Sequence, residues 1–128
     1  MNIKYIPLDL DLLEDSKMIR LIRKHGMQGL GTYIRIITLL WKKEDEGFKW
    51  GLDEDSIEDI CFAMRDAKTE RDIVEDIILH YDLFERMPKD DNNEYGYFYS
   101  KSILRRREKM DTIKQKRSYA GQMSGKAR

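Results

Sequence analysis

The sequence predicts a mainly helical α+β domain, and three features of its pattern lead to this prediction. Apolar residues recur at helical spacing between positions 30 and 41. Two short segments, the alternating residues 48–50 and residues 83–87, are typical of strands. The 128 residues include only two prolines and eight glycines, which favours helices joined by short connections.

The first part of the chain is predicted to form an extended arm followed by two helices. Residues 3–10 contain Pro7 and are expected to be the arm. Asp15-Ser16 can cap a helix that runs to about His25, with Gly26 as its stop. The second helix is predicted to start at 28–30 and to end before residue 47. Its apolar stripe comprises Leu30, Tyr33, Ile34, Ile37, Leu40 and Trp41.

The second part is predicted to form two helices, a hairpin and a final helix. Asp53 or Asp55 caps a helix that ends in a turn at 66–68. A capping-box-like stretch at 69–72 opens the next helix, which runs to about residue 81. A polar turn at 88–93 joins strand 83–87 to a return strand at 95–99. Ser100 or Ser102 caps the last helix, which is expected to end near Tyr119.

After the arm and the first helix, this order matches that of a winged helix-turn-helix: helix, short strand, helix, helix and a two-stranded β-wing. A generic α+β domain with a β-hairpin has the same order, so the pattern alone leaves both open. We expect residues 1–100 to form the winged-helix domain and residues 101–119 a basic C-terminal helix. Residues 120–128 are small and polar, which is typical of a flexible linker or disordered end.

Charge is distributed unevenly along the chain, although the formal net charge is zero. Residues 101–128 hold ten basic and two acidic residues, whereas the first hundred hold 14 basic and 22 acidic residues. The two parts therefore carry +8 and −8. Such asymmetry indicates a tail that meets nucleic acid or another acidic surface.

The basic helix is the predicted DNA-binding element. Clustered cations neutralise phosphates and release counterions, which gives mostly sequence-neutral affinity. The alternative is a solvated helix whose cations pair with the acidic first hundred residues. The candidate residues are Lys101, Arg105, Arg106, Arg107, Lys109, Lys114, Lys116 and Arg117.

The helix at 69–81, which a winged-helix protein would use to read DNA, is acidic. It carries Glu70, Asp72, Glu75 and Asp76 against Arg71. Recognition helices usually present Arg, Lys, Asn or Gln to base edges, so sequence reading by this helix is not expected. A transcriptional regulator is thus a less attractive alternative, and contact with a protein partner or a second copy a better one.

The aromatic run at 95–99 has two interpretations. Tyr95, Tyr97, Phe98 and Tyr99 could stack on unpaired bases, as aromatic side chains do in single-strand binders. More often such alternation marks a half-buried strand, and we favour that structural interpretation.

No catalytic or metal signature is present, which predicts a non-enzymatic protein without cofactor or metal. Asp9-x-Asp11 could bind Mg²⁺, but acids are also favoured before a helix N-terminus. His25 and His80 lack metal-ligand spacing, and Cys61 in its apolar run is expected to be a buried, reduced thiol. Without a signal peptide or an apolar span, a cytoplasmic location without membrane contact is expected.

Three stretches near the start of the chain resemble a known family. They are Tyr5-Ile6-Pro7-Leu8-Asp9-Leu10-Asp11, Asp15-Ser16-Lys17-Met18-Ile19-Arg20-Leu21-Ile22 and Gly26-Met27-Gln28-Gly29-Leu30-Gly31-Thr32-Tyr33. They look like the N-terminal winged-helix domain of phage and prophage replisome organisers of the DnaD-like group. The resemblance implies DNA association, self-assembly as a homo-oligomer, and recruitment of a replicative helicase or helicase loader in a bacterial host. It transfers no catalytic residue.

Overall fold

The computed structural model describes residues 5, 8–64, 71–88 and 96–126, with side chains as far as residue 117. Over these ranges the chain forms four α-helices and a three-stranded antiparallel sheet, an α+β arrangement of winged-helix type, as predicted. None of the described helices is long and apolar enough to cross a bilayer. The elements are α1 (Ser16–Trp41), β1 (Trp50–Gly51), α2 (Glu54–Met64), α3 (Arg71–Leu79), β2 (Glu85–Met87), β3 (Tyr97–Tyr99) and α4 (Lys101–Lys126).

Helix α1 contains both helices predicted for the first part, joined across a kink at Gly26. The Asp15 carboxylate accepts hydrogen bonds from the backbone N–H groups of Lys17 and Met18, at 2.8 and 3.4 Å. Gly26 has φ 67° and ψ −157°, a conformation that only glycine adopts without strain. The predicted boundary is therefore a true break in helical geometry.

The core lies between α1, α2, α3 and the sheet. Helix α1 makes the largest contribution, with Met18, Leu21, Ile36, Ile37 and Leu40 fully buried. The other elements add, among others, Ile60 of α2, Val74 and Ile77 of α3, Phe98 of β3 and Ile103 of α4. Cys61 is half-buried rather than fully buried; burial nevertheless raises the pKa of its thiol.

The sheet has the order β1-β3-β2, so the return strand lies in the middle. Trp50 is opposite Phe98 and Gly51 opposite Tyr97, while Glu85, Arg86 and Met87 pair with Tyr99, Phe98 and Tyr97. The prediction of a strand at 48–50 was wrong by two residues. Phe48 adopts φ 61°, because its ring turns inward and packs against the ring of Trp41, with the two ring centroids 5.8 Å apart.

Several other boundaries differ from the prediction. The first strand of the hairpin begins at Glu85 rather than at residue 83. Tyr81 lies beyond α3 with φ 68°, so the helix ends before it. Asp53, rather than Asp55, accepts the capping hydrogen bond from Ser56 N at 3.2 Å. Residues 65–70 and 89–95 lie outside the described residues, and with them most of the two predicted turns, the first half of the capping-box-like stretch and Tyr95.

Helix α4 starts where predicted and ends later. Ser100 Oγ accepts a hydrogen bond from Ile103 N at 3.2 Å, which makes Ser100 its N-cap. Helical backbone continues to Lys126, whereas the small, polar residues after 119 favour an earlier end. The division into a domain, a basic helix and a flexible end stays a prediction.

Candidate nucleic-acid interface

The inner face of α4 holds the helix against the body through two arginines. Arg106 Nη2 donates to Asp9 Oδ2 at 3.2 Å. Arg107 Nη2 donates to Glu44 Oε1 at 2.5 Å, and its Nε donates to Asp111. The two side chains are only 10% and 14% exposed, so neither guanidinium group lies on the open surface of α4.

Ile103 and Met110 lie on the same inner face. Ile103 is fully buried in the core and Met110 packs against it half-buried. From residue 112 to residue 117 every side chain is exposed. The described helix therefore leaves the body after about three turns and continues into solvent.

The opposite face of α4 carries a row of cations, which we call the outer stripe: Lys101, Arg105, Lys109 and Lys116. At 3.6 residues per turn, the last three lie within about 40° of one another around the helix axis. They also span about 16 Å along it, at 1.5 Å per residue. Such a row matches a linear array of phosphates better than it matches a single anion.

The cations of the outer stripe are open to solvent. Within the described part of the chain, Arg105, Lys109 and Lys116 have no carboxylate partner, and all three side chains are exposed. Lys101 Nζ lies 3.5 Å from Glu85 Oε1 but remains 66% exposed. Glu108 lies about 60° to one side of the row.

The eight predicted residues thus fall into three groups. Four form the outer stripe, whereas Arg106 and Arg107 hold the helix to the acidic body, which was the alternative considered for the basic helix. Lys114 and Arg117 are exposed on the inner side, beyond the end of the body. Helical periodicity separates these groups, but only the positions of Asp9 and Glu44 show which face is docked.

The acidic side chains of α3 are largely engaged within the molecule. Arg71 donates from Nε to Glu75 Oε1 at 2.7 Å and from Nη2 to Glu54 Oε2 at 2.7 Å. These hydrogen bonds raise the pKa of Arg71 and lower that of Glu54. Asp72 remains exposed, so this helix still offers DNA a carboxylate and no unpaired cation among its described residues.

Asp76 is the centre of a cluster that the sequence pattern did not reveal. His25 Nε2 lies 2.6 Å from Oδ2, and Tyr81 Oη donates to the same oxygen at 2.8 Å. Lys24 Nζ lies 3.1 Å from Oδ2 and His80 Nδ1 lies 2.7 Å from Oδ1. The cluster joins α1, just before its kink, to the end of α3, so its role is to fix their packing.

The described residues contain no group of acidic, histidine or cysteine side chains arranged to hold a metal ion. Asp9 of the arm contacts Arg106 instead.

The comparisons with known proteins place the chain in one family. The model of the Lin1244/Lin1753-like, N-terminal family matches residues 5–103. The chain belongs to this family. No curated protein and no solved structure matches it. The Lin1244/Lin1753-like match ends three residues into α4, so most of the outer stripe lies beyond the matched segment.

Proposed function

We propose that this chain is a non-enzymatic DNA-binding and assembly module that acts in phage or prophage replication initiation. The observation that carries the proposal is the outer stripe, a row of exposed cations on a helix that the body holds by its other face. Its affinity for DNA is expected to be mostly electrostatic and sequence-neutral, because each phosphate neutralised releases a counterion.

The replication context rests on the resemblance of residues 5–11, 15–22 and 26–33 to DnaD-like replisome organisers. In that context the chain works in the cytoplasm of a bacterial host, with a replicative helicase or helicase loader as its protein partner. The exposed Asp72 argues against a transcriptional regulator that reads bases through α3.

The test is fluorescence anisotropy of labelled single- and double-stranded DNA of unrelated sequences, titrated with the full chain across a salt series. The test variant replaces Arg105, Lys109 and Lys116 by glutamine. The control variant replaces Lys17, Arg20 and Lys42 by glutamine, which removes the same charge from exposed positions of the body.

We expect the slope of log K against log salt concentration to fall by about 3 in the outer-stripe variant, because about 0.9 is lost per phosphate contact on duplex DNA. The control variant should keep most of the wild-type slope. Equal binding by the two variants would contradict the assignment of DNA binding to α4.

A second candidate function, self-assembly through the end of the arm and the start of α1, is favoured by exposed apolar side chains. Leu10 is fully exposed, and Leu13 and Ile19 are 54% and 41% exposed. Apolar side chains gathered in one short segment are typical of interaction surfaces. Light scattering after size-exclusion chromatography tests this function: a Leu10→Ser/Leu13→Ser variant should lose any dimer that the wild type forms, and a monomeric wild type at high concentration argues against it.

A further inference from the structure

A cleft of about 330 Å³ lies beside the central strand β3, on the side of the sheet edge formed by β1. Two half-buried aromatic residues, Trp50 and Tyr97, line it together with Lys43, Lys49 and the acidic residues Glu46 and Asp59. We propose that this cleft binds an unpaired nucleobase of a single strand, stacked on the aromatic rings, with the adjoining phosphate on Lys49. This inference rests on the proposed DNA-binding function, because α4 supplies the electrostatic part of the affinity for the strand.

The rings are held in place before any ligand arrives. Trp50 Nε1 donates to the carbonyl of Ser56 at 2.7 Å. The ring of Tyr97 packs against that of Tyr99, with centroids 6.2 Å apart and an interplanar angle of 42°. Fixed rings lose little conformational entropy on binding, which favours a stacking site over a loose surface.

The floor of the cleft requires a glycine. Gly51 lies next to Trp50 along β1 and directly opposite Tyr97. A Cβ atom at this position would lie 2.5 Å from Asp53 Oδ1 and 2.8 Å from Ser56 Oγ. A side chain at position 51 would therefore disturb the contact between Asp53 and Ser56 that caps α2, beside the cleft.

Cations already lie against both rings. Lys43 Nζ is 4.7 Å from the centroid of Trp50, and Lys49 Nζ is 4.7 Å from that of Tyr97. Lys43 also pairs with Glu46 at 3.0 Å, whereas Lys49 is exposed and has no carboxylate partner within the described residues. A base stacked on Tyr97 would bring its phosphate within reach of the Lys49 ammonium, the combination that single-strand binders use.

The cleft is also close to the DNA-binding helix. Lys43 at its rim adjoins Glu44, which accepts the hydrogen bond from Arg107 of α4. In a duplex the bases are paired and stacked on each other, so the stacking contact should distinguish single from double strands.

The experiment uses Trp50 as its reporter in the full chain. Trp41 is 7% exposed, and Trp41→Phe leaves Trp50 as the only tryptophan. Trp50 fluorescence is followed during titration with a twelve-nucleotide oligothymidylate, about one site of a single-strand binder, and with a duplex of equal length. Anisotropy of labelled oligonucleotides is measured in parallel. Test variants on this background are Tyr97→Leu and Lys49→Gln, and the matched control is Phe62→Leu, an 83% exposed aromatic residue of α2.

We expect the single strand, and not the duplex, to quench Trp50. Tyr97→Leu should weaken single-strand binding by about tenfold, the usual effect of removing one stacking ring. Duplex binding should change less than twofold, and Phe62→Leu should behave like the parent. Circular dichroism verifies that each variant is folded.

The two proposals fail differently. The stacking cleft is overturned if single strands raise the anisotropy while Trp50 fluorescence stays unquenched. It is also overturned if Tyr97→Leu binds single strands as tightly as Phe62→Leu does. Either result leaves α4 as the binding element. The role of α4 is overturned, and the cleft supported, if single strands still quench Trp50 fluorescence while the outer-stripe variant binds DNA as tightly as the parent does. Absence of both signals overturns both.

Discussion

Replacing Asp76 by alanine tests the carboxylate that His25, Tyr81, Lys24 and His80 share. The substitution removes the acceptor at 2.6 Å from His25 Nε2 and the acceptor of the 2.8 Å bond from Tyr81 Oη. It leaves the imidazole and the phenol in a site where few other polar groups can replace the carboxylate. The links between α1 and α3 and between α3 and the turn at Tyr81 are weakened together.

The size of the effect follows from the burial of the partners. His25 is 15% exposed and Tyr81 is half-buried, whereas Lys24 and His80 are 61% and 65% exposed. A buried hydrogen bond to a charged group contributes about 1.5–3 kcal/mol, and an exposed ion pair contributes about 0–1 kcal/mol. Asp76→Ala should therefore lower the free energy of unfolding by about 3–5 kcal/mol. Asp76→Asn retains one oxygen acceptor and should lower it by about 2 kcal/mol.

The effect should depend on pH. Burial alone raises the pKa of Asp76, but hydrogen bonds from His25, Tyr81, Lys24 and His80 outweigh it and hold this pKa well below its usual range. A depressed pKa in the folded state adds stability above the unfolded pKa of about 3.9 that is lost as the pH falls. The difference between wild type and Asp76→Asn should therefore narrow below about pH 4.

The assay is urea unfolding followed by far-ultraviolet circular dichroism at pH 7 and at pH 3. Asp59→Ala is the matched control, because Asp59 is an exposed carboxylate within α2. An Asp76→Ala variant within about 1 kcal/mol of this control at pH 7 would refute the reasoning, since the hydrogen bonds alone are expected to contribute more.

Two further predictions concern the backbone and the alkaline limit of stability. Gly26→Ala should cost about 1–3 kcal/mol in chemical unfolding, because φ 67° and ψ −157° strain any side chain although nothing lies within 4 Å of its Cβ. Gly31→Ala, equally unobstructed but helical, should stabilise by about 0.5–1 kcal/mol, and equal effects of the two substitutions would contradict this account. Burial, together with the hydrogen bond to Asp76, raises the pKa of Tyr81 to about 12. Because the folded pKa lies above the unfolded value of about 10, the stability it contributes is full below pH 10 and is lost as the pH rises towards 12. Tyr81→Phe should flatten the fall in unfolding free energy over that range, and an unchanged slope would count against the contact.

Local signals predicted local structure well. Asp15 and Ser100 act as N-caps, and Gly26 breaks the helical geometry, because each of these roles depends on neighbours within four residues. The apolar stripe of α1 is buried for a similar reason, since its period sets one face of a helix. These features were sufficient for the order of the helices.

Features set by distant residues were not predictable in the same way. Phe48 turns into a left-handed conformation because Trp41 provides a partner for its ring, so the strand starts two residues late. Both histidines meet at Asp76 although His25 is 51 positions away, a distance that no motif spacing encodes. The sequence of α4 likewise shows that the helix is basic. Which of its arginines are withdrawn from the surface depends on the distant residues Asp9 and Glu44.

The two arginine contacts that hold α4 also set when this helix can dock during synthesis. Arg106 and Asp9 are 97 positions apart, and Arg107 and Glu44 are 63 apart, so each contact closes a long loop of the chain. Closing such a loop costs conformational entropy before the contact can stabilise the chain, and contacts of long sequence separation slow folding. The chain leaves the ribosome from its N-terminus, so Asp9 and Glu44 are made before their partners Arg106 and Arg107. A nascent chain stalled before residue 106 should therefore lack both arginine contacts that hold α4 to the body.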